Sequence, residues 1–142
     1  MQLDKTNKRI LALLEKNARI SATAIGKEIG LSRPAVQDRI SAMEQAGVIQ
    51  GYHAATDDAA GLVRAAVFIS IAERPCDRAL SWLASLDGVT SVLSLAGEFD
   101  ALVLVALPSA SDLSAMNDRI ATSPLIATAK SQVVLRHYRG GA

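Results

Sequence analysis

The stretch "GLSRP" at residues 30–34 obliges the backbone to end one helix and start another within three residues. Gly30 tolerates the left-handed conformation in which helices often finish, Ser32 offers a hydroxyl to cap the next helix, and Pro34 falls in a first turn, where its missing N–H costs nothing. A chain with such a junction is committed to two short helices meeting at a sharp angle.

The flanking pattern supplies three helices. Leu3, Ile10, Leu13 and Leu14 recur at helical spacing from Asp4 to about Lys16. Ser21 is placed to cap a second helix that buries Ala24, Ile25 and Ile29 and stops at Gly30. In the third, Val36, Ile40 and Met43 share one face and Gly47 ends it, while the opposite face presents Pro34, Asp38, Ser41 and Gln45, with Gln37 and Arg39 on the flanks and Arg33 beside the cap. Helix, short turn and second helix with a polar outer face is how a helix-turn-helix is written. Its second helix enters the major groove of double-stranded DNA. Spacing alone leaves a plain three-helix bundle with a solvated outer helix as the competing reading. On the DNA reading, Arg33, Gln37 and Ser41 are candidates for base-edge contacts, Ser32, Pro34 and Asp38 lie beside them, and Lys27 and Arg39 are placed for phosphates.

From Val48 the chain reads "VIQGYHAATD", β-rich and then polar, which suggests a short strand or wing followed by a linker. This divides the chain into a DNA-binding part over 1–50, a strand and linker over 51–61, and a second domain over 62–142. Charge follows the same division. Residues 1–50 carry eight basic and five acidic side chains, a net +3, and residues 51–142 carry seven and nine, a net −2. Two modules with different tasks are implied.

The second module alternates differently. "LVRAAVFISIA" reads as a strand, "CDRALSWLASLDG" as a helix with Ala79, Leu80, Leu83 and Leu86 on one side, and "VTSVLSLAG" as a strand. After a turn at Gly97-Glu98-Phe99-Asp100 come a strand "ALVLVALP", a helix from about Ser111 to Ser123, and a strand from Ile126 to about Tyr138. The order βαββαβ is the ferredoxin-like arrangement, one antiparallel sheet with two helices on one face. The fold class is therefore α+β, a winged helix-turn-helix followed by a ferredoxin-like domain. Both faces of strands such as "VFISI" and "LVLVAL" are apolar, so the sheet face without helices is an association surface, and a homodimer through it is expected.

Composition excludes several classes of function. With 50% hydrophobic and 20% charged residues among 142, the chain can bury a core. The longest apolar runs, 65–72 and 101–107, fall far short of the roughly 20 residues that cross a bilayer. The first residues carry no apolar segment of the signal-peptide kind, and Cys76, the one cysteine, cannot form an internal disulfide, so a cytoplasmic location without membrane contact is expected. Cys76 reads as a packing or capping residue. No catalytic, metal or cofactor constellation emerges: His53 and His137 are far apart without companion ligands, and no glycine-rich phosphate loop is present. Glu98 and Asp100 share one turn, where a short acidic side chain commonly bonds local backbone.

Taken together, "LDKTNKRILALLEKNARIS", "IGLSRPAVQDRISAMEQAGVIQGY" and "GEFDALVLV" resemble the Lrp/AsnC, or feast/famine, family of bacterial and archaeal transcription regulators. The resemblance implies a dimer built on the βαββαβ domain, further assembled into tetramers or octamers, whose second domain senses a small molecule, an amino acid. It places Gly97, Glu98, Phe99 and Asp100 in the effector-site loop at contacts between dimers, and Ser131 in the same cleft. Asp100 would then meet the ligand's ammonium, with backbone N–H groups near Gly97 and the Ser131 hydroxyl meeting its carboxylate. Two departures stand out. Gly26 occupies a position where the family usually has Ala, at a helix-propensity cost of about 1 kcal/mol. Asp38 puts a negative charge on the outer face of the third helix, where it would repel phosphate unless it accepts from cytosine N4 or pairs with a basic neighbour. Two other readings compete on the same scaffold: an architectural DNA-binding protein that senses nothing, and a sirohaem-decarboxylase-like enzyme, which would need tetrapyrrole-pocket histidines where this chain has "GEFDA".

Overall fold

The computed structural model describes residues 1–56 and 61–140, in two compact units, Met1–Ala55 and Thr56–Gly140. Most of the expected linker, residues 57–60, lies outside the described residues.

The first unit holds α1 (Lys5–Lys16), α2 (Ala22–Ile29) and α3 (Arg33–Gln45). Each starts on a side chain that accepts an otherwise unpaired backbone N–H: Asp4 from Asn7 at 2.7 Å, Ser21 from Ala24 at 3.0 Å, and Ser32 from Ala35 at 3.4 Å. Gly30 closes α2 at φ 76°, in the left-handed region. Ile10, Ile25, Val36 and Met43 are completely buried where the three helices meet, with Leu13, Leu14, Ile29 and Ile40 packed against them. Ala24 is exposed, contrary to expectation. At about 100° per residue it falls on the far side of Ile25, and Ala22 and Gly26 take the inner positions instead.

Gly26 explains its own departure from the family pattern. Its carbonyl accepts from both Gly30 and Leu31 at 2.9 Å, which pulls the turn tightly over α2. A Cβ at this position would stand 2.3 Å from the Leu31 carbonyl oxygen. The glycine is there because backbone passes over it.

The strand expected after α3 does not form; residues 50–56 have no ladder partner among the described residues. A strand needs a neighbour, and this unit has none to offer. Val48 and Ile49 donate instead to the Met43 carbonyl at 2.9 and 3.2 Å, ending α3, and the Tyr52 hydroxyl donates to Glu44 Oε1 at 2.7 Å. That bond to a carboxylate pushes the phenol up to about 12.

The second unit is β1 (Val63–Ile71), α4 (Asp77–Ala84), β2 (Val89–Ser94), β3 (Ala101–Leu107), α5 (Ala110–Ala121) and β4 (Ile126–Val133). Its four strands form one antiparallel sheet in the order β2-β3-β1-β4. Burial alternates along β1 from Arg64 onward and along all of β3: Ala65, Val67, Ile69, Val103 and Val105 lie under the helices with Leu83, Met116 and Ile120, and the residues between them are half-buried on the other face. That second face carries Ala66, Phe68, Leu102 and Leu104, with the exposed Leu93 beside them on β2. Its middle, on β1, β3 and β2, is largely apolar and bears no helix, with Lys130 and Gln132 of β4 along one side.

Several boundaries differ from expectation, among them that β2 ends at Ser94 and α5 at Ala121. Residues 85–88 follow α4 as a turn, although Leu86 still reaches the core. The Ser109 hydroxyl accepts from Asp112 N at 3.1 Å, which starts α5 one residue early, at Ala110. β4 stops at Val133 rather than near Tyr138: Ala65 faces Val133, and after the Val134 bond to the Arg64 carbonyl the chain leaves the sheet and is exposed, while Val63 and Arg64 pair only with β3.

Candidate functional site

Two groups of residues carry chemistry, one in each unit. The first is the outer face of α3. Ser32, Arg33, Pro34, Gln37, Asp38 and Ser41 are all exposed, as is Lys27 on α2. Val36 and Met43, on the opposite side of α3, are completely buried. The helix therefore presents this polar face because its apolar face is consumed by the core.

Arg39 is oriented otherwise than expected. One guanidinium nitrogen donates to Asp4 Oδ2 at 2.7 Å and to Asn7 Oδ1 at 2.9 Å, which ties α3 to the start of α1 and satisfies the amide of Asn7, a buried polar residue. Its charge is committed inside the unit. Asp4, which caps α1 as well, has its carboxyl held below the usual range, chiefly by the Asn7 N–H and then by Arg39. Nothing in the order of residues indicates this link, since Asp4 and Arg39 are 35 positions apart.

The second group is the turn between β2 and β3. Asp100 N donates to the Ile69 carbonyl at 2.9 Å, and Leu95 N to the Asp100 carbonyl at 2.8 Å. The Asp100 side chain does more. Its Oδ2 accepts from Ile71 N at 2.7 Å, at the point where β3 has not yet begun and the β1–β4 register shifts, so that the carboxylate takes the place of a ladder partner. Its Oδ1 accepts from Arg74 Nη2 at 2.7 Å, and Arg74 Nη1 also donates to Cys76 Sγ at the start of α4. The Ile71 N–H first, and Arg74 second, hold the Asp100 carboxyl below the ordinary carboxylate range.

Both oxygens of Asp100 are thus occupied from within the chain. The role expected for it as ammonium partner has to compete with two charge-assisted bonds, and the geometry supports local turn chemistry. A folded-state pKa below the unfolded one contributes stability that is present above the unfolded value and disappears as pH falls through the folded value. Asp4 and Asp100 both have this sign. Thermal unfolding followed from pH 6 downward should accordingly show a loss of stability beginning near pH 4. In Asp100→Asn the acid-side loss is expected to be shallower; an unchanged profile would contradict the assignment.

Gly97 and Glu98 are exposed. Phe99 packs on Phe68 of β1 with ring centroids 5.1 Å apart, and Lys130 Nζ lies 5.7 Å from the Phe99 ring centre. Phe68 and Lys130 are direct cross-strand partners, so the turn reaches over the sheet face that carries no helices. Ser131 pairs with Val67 and points to the other, helix-covered face. Within one chain, no hydrogen bond or ring contact joins Ser131 to Gly97–Asp100 among the described residues. The Ser131 hydroxyl is buried and has no hydrogen-bond partner there. Sequence reasoning missed the groove of about 490 Å³ between the end of α1 and residues 48–55, lined by Leu11, Leu14, Arg19, Ile49, Tyr52 and His53 among others. It holds none of the candidate residues.

No helix among the described residues is long and apolar enough to cross a membrane, and no group of three or more His, Cys, Asp or Glu is arranged to hold a metal.

Comparison with known proteins agrees with this geometry. Residues 3–50 match the family model for winged helix-turn-helix DNA-binding domains, and residues 64–141 match that for the Lrp/AsnC ligand binding domain. The HTH-type transcriptional regulator LrpA1 of Halobacterium salinarum is 35% identical over 88% of this chain and 87% of its own length. Ptr1 of Methanocaldococcus jannaschii, also an HTH-type transcriptional regulator, is 28% identical over 99% of this chain and 97% of its own. Among solved structures, the leucine response regulatory protein LrpA of Mycobacterium tuberculosis superposes with a TM-score of 0.82 at 30% identity, covering 96% of this chain and 95% of that one. A regulator of Neisseria meningitidis solved as a complex with L-Met shares the fold, with a TM-score of 0.76 at 24% identity over 97% of this chain and 93% of that one. These relatives are regulators and not enzymes.

Proposed function

The chain belongs to the Lrp/AsnC family of DNA-binding transcriptional regulators, and we propose that it acts by seating α3 in the major groove while its second unit joins another copy and takes up an amino acid. The observation that carries the DNA part is the division of α3 into a completely buried face and a wholly exposed polar one. On this reading Arg33, Gln37 and Ser41 meet base edges and Lys27 meets phosphate. Arg39 is left out, because its guanidinium serves Asp4 and Asn7.

The apolar sheet face with Phe68, Leu102 and Leu104 supports a homodimer, and the exposed turn Gly97–Glu98 supports further assembly into tetramers or octamers. An amino acid bound where copies meet would offer its carboxylate to N–H groups of the turn in one copy and to the Ser131 hydroxyl of another, since within one chain the two lie on opposite sheet faces. Support comes from that hydroxyl's want of a partner and from the L-Met in the Neisseria regulator. Asp100 keeps the turn in shape for this. A ligand held between copies stabilises the assembly it fits best, which is how occupancy would reach DNA. As a DNA-binding regulator the protein would work in the cytoplasm. The architectural reading draws on one observation, that Asp100 fixes the turn with bonds needing no ligand.

The test of the recognition face compares two substitutions. Lys27→Ala should weaken binding about equally on all duplexes, whereas Gln37→Ala should change which duplex is preferred. Equal loss on every duplex after Gln37→Ala would overturn the assignment of α3.

A further inference from the structure

Asp38 is the acidic residue of the outer α3 face that has no part in the proposed DNA contacts, and its charge works against them. The residue is exposed. At about 100° per residue it stands about 30° from the direction opposite the buried Val36 and Met43 line, close to the middle of the outer face. A negative charge there faces a polyanion whenever the helix approaches DNA.

Nothing inside the chain accounts for it. Among the described residues Asp38 has no hydrogen-bond or ion-pair partner. Its neighbours one turn away are Pro34, Ala35, Ser41 and Ala42, none of them basic. Arg39 is adjacent in sequence but bonded to Asp4 and Asn7. As the sixth residue of α3, Asp38 is past the first turn, so the helix dipole gives it little. Asp is also a poor helix former in an interior position. By contrast Glu44, the other acid on α3, accepts the Tyr52 hydroxyl. The structure thus disposes of the alternative in which a basic neighbour neutralises Asp38.

We infer that Asp38 is a specificity-determining residue that accepts a hydrogen bond from the N4 amino group of a cytosine in the major groove. This rests on α3 being the recognition helix. A carboxylate has no donor and cannot satisfy guanine O6 and N7 or thymine O4. Adenine N6 is a donor, but N7 beside it is an acceptor that repels the carboxylate, and this leaves cytosine as the base whose edge offers an amino group without that repulsion. The side chain is short, so the helix must come close. The small residues around it, Pro34, Ala35, Ser41 and Ala42, permit that approach.

The experiment is selection from a pool of randomised duplexes at one fixed salt concentration, using the full-length protein, Asp38→Ala and Asp38→Asn, with affinities then measured for each base pair at the position concerned. Because Asp38 is exposed and unpartnered, both variants should fold, which circular dichroism checks. The wild type is expected to fix a cytosine in each half-site and to lose roughly five- to hundredfold when it is replaced by thymine. Asp38→Ala should lose that discrimination while keeping the other preferred positions. Asp38→Asn should move the preference to adenine, whose N6 and N7 an amide can contact together. If both variants bind every duplex more tightly with base preferences unchanged, Asp38 only repels phosphate and the inference fails; it fails equally if the wild type selects no cytosine. A wild type that binds all duplexes alike would bring down the recognition-helix reading itself, which distinguishes the two failures.

Discussion

Gly26→Ala should lower the stability of Met1–Ala55 by about 2 kcal/mol, on the order of 10 °C in unfolding temperature for a unit this small. The sign is the point of the measurement. In an ordinary helix interior the exchange stabilises by about 1 kcal/mol, because glycine surrenders more backbone entropy than alanine. Here the added methyl would meet the Leu31 carbonyl oxygen at 2.3 Å, and a backbone atom cannot swing aside as a side-chain tip can. To make room, the turn must lift from α2, which weakens the paired bonds from Gly30 and Leu31 to the Gly26 carbonyl and tilts Ser32 and α3 with it. DNA affinity should therefore fall along with stability. Calorimetry on the full chain reads the transition directly, and a neutral or higher transition temperature would show that the turn is not held so closely against α2.

Leu104→Glu should have the largest effect on function. Leu104 lies opposite Ala66 on the helix-free sheet face and is half-buried by its own chain. A carboxylate there is tolerated by a lone copy in water but not in an apolar contact between two sheets. Sedimentation should then find single chains where the wild type should give the proposed dimers or larger species. Since the proposed dimer would grip two half-sites at once, its affinity should exceed that of one unit by about two to four orders of magnitude, and Leu104→Glu should lose that gain. Leu102→Glu, on the same face, should behave alike. Unchanged mass with unchanged affinity would remove this face from the assembly.

The parts of the fold that are visible in sequence are those whose causes are local. Three helix starts are written in Asp4, Ser21 and Ser32, because a cap and the N–H it accepts are three residues apart. The βαββαβ order follows from alternation in β1 and β3, where burial alternates from Ala65 to Ile71 and from Ala101 to Leu107. The features that stay hidden depend on partners distant in the chain. The Arg39 link to Asp4 and Asn7 requires α1 and α3 to have packed, and the clash at Gly26 requires the turn to have folded back. "SQVVLRHY" has strand-like composition to its end, yet pairing stops at Val133 and the chain beyond it is exposed, which depends on where the chain leaves the edge of the sheet and not on its composition. Asp100 is legible as a turn residue, but the identity of the groups it holds, Ile71 and Arg74, comes only from sheet register. The relation of Ser131 to the turn is misleading in sequence for a like reason: the pairing with Val67 puts it on the opposite face from Phe68.

Whether DNA binding by α3 answers to an amino acid held by the second unit is decided by fluorescence anisotropy at one stated salt concentration. The purified protein is titrated onto duplex DNA from upstream of its own coding region, with and without each proteinogenic amino acid in turn. The expected result is tight, sequence-dependent binding that one or a few chemically related amino acids shift and the rest leave alone. Tight binding that none of them moves would contradict the amino-acid part of the proposal and favour an architectural protein, and failure to prefer any duplex would contradict the proposal as a whole.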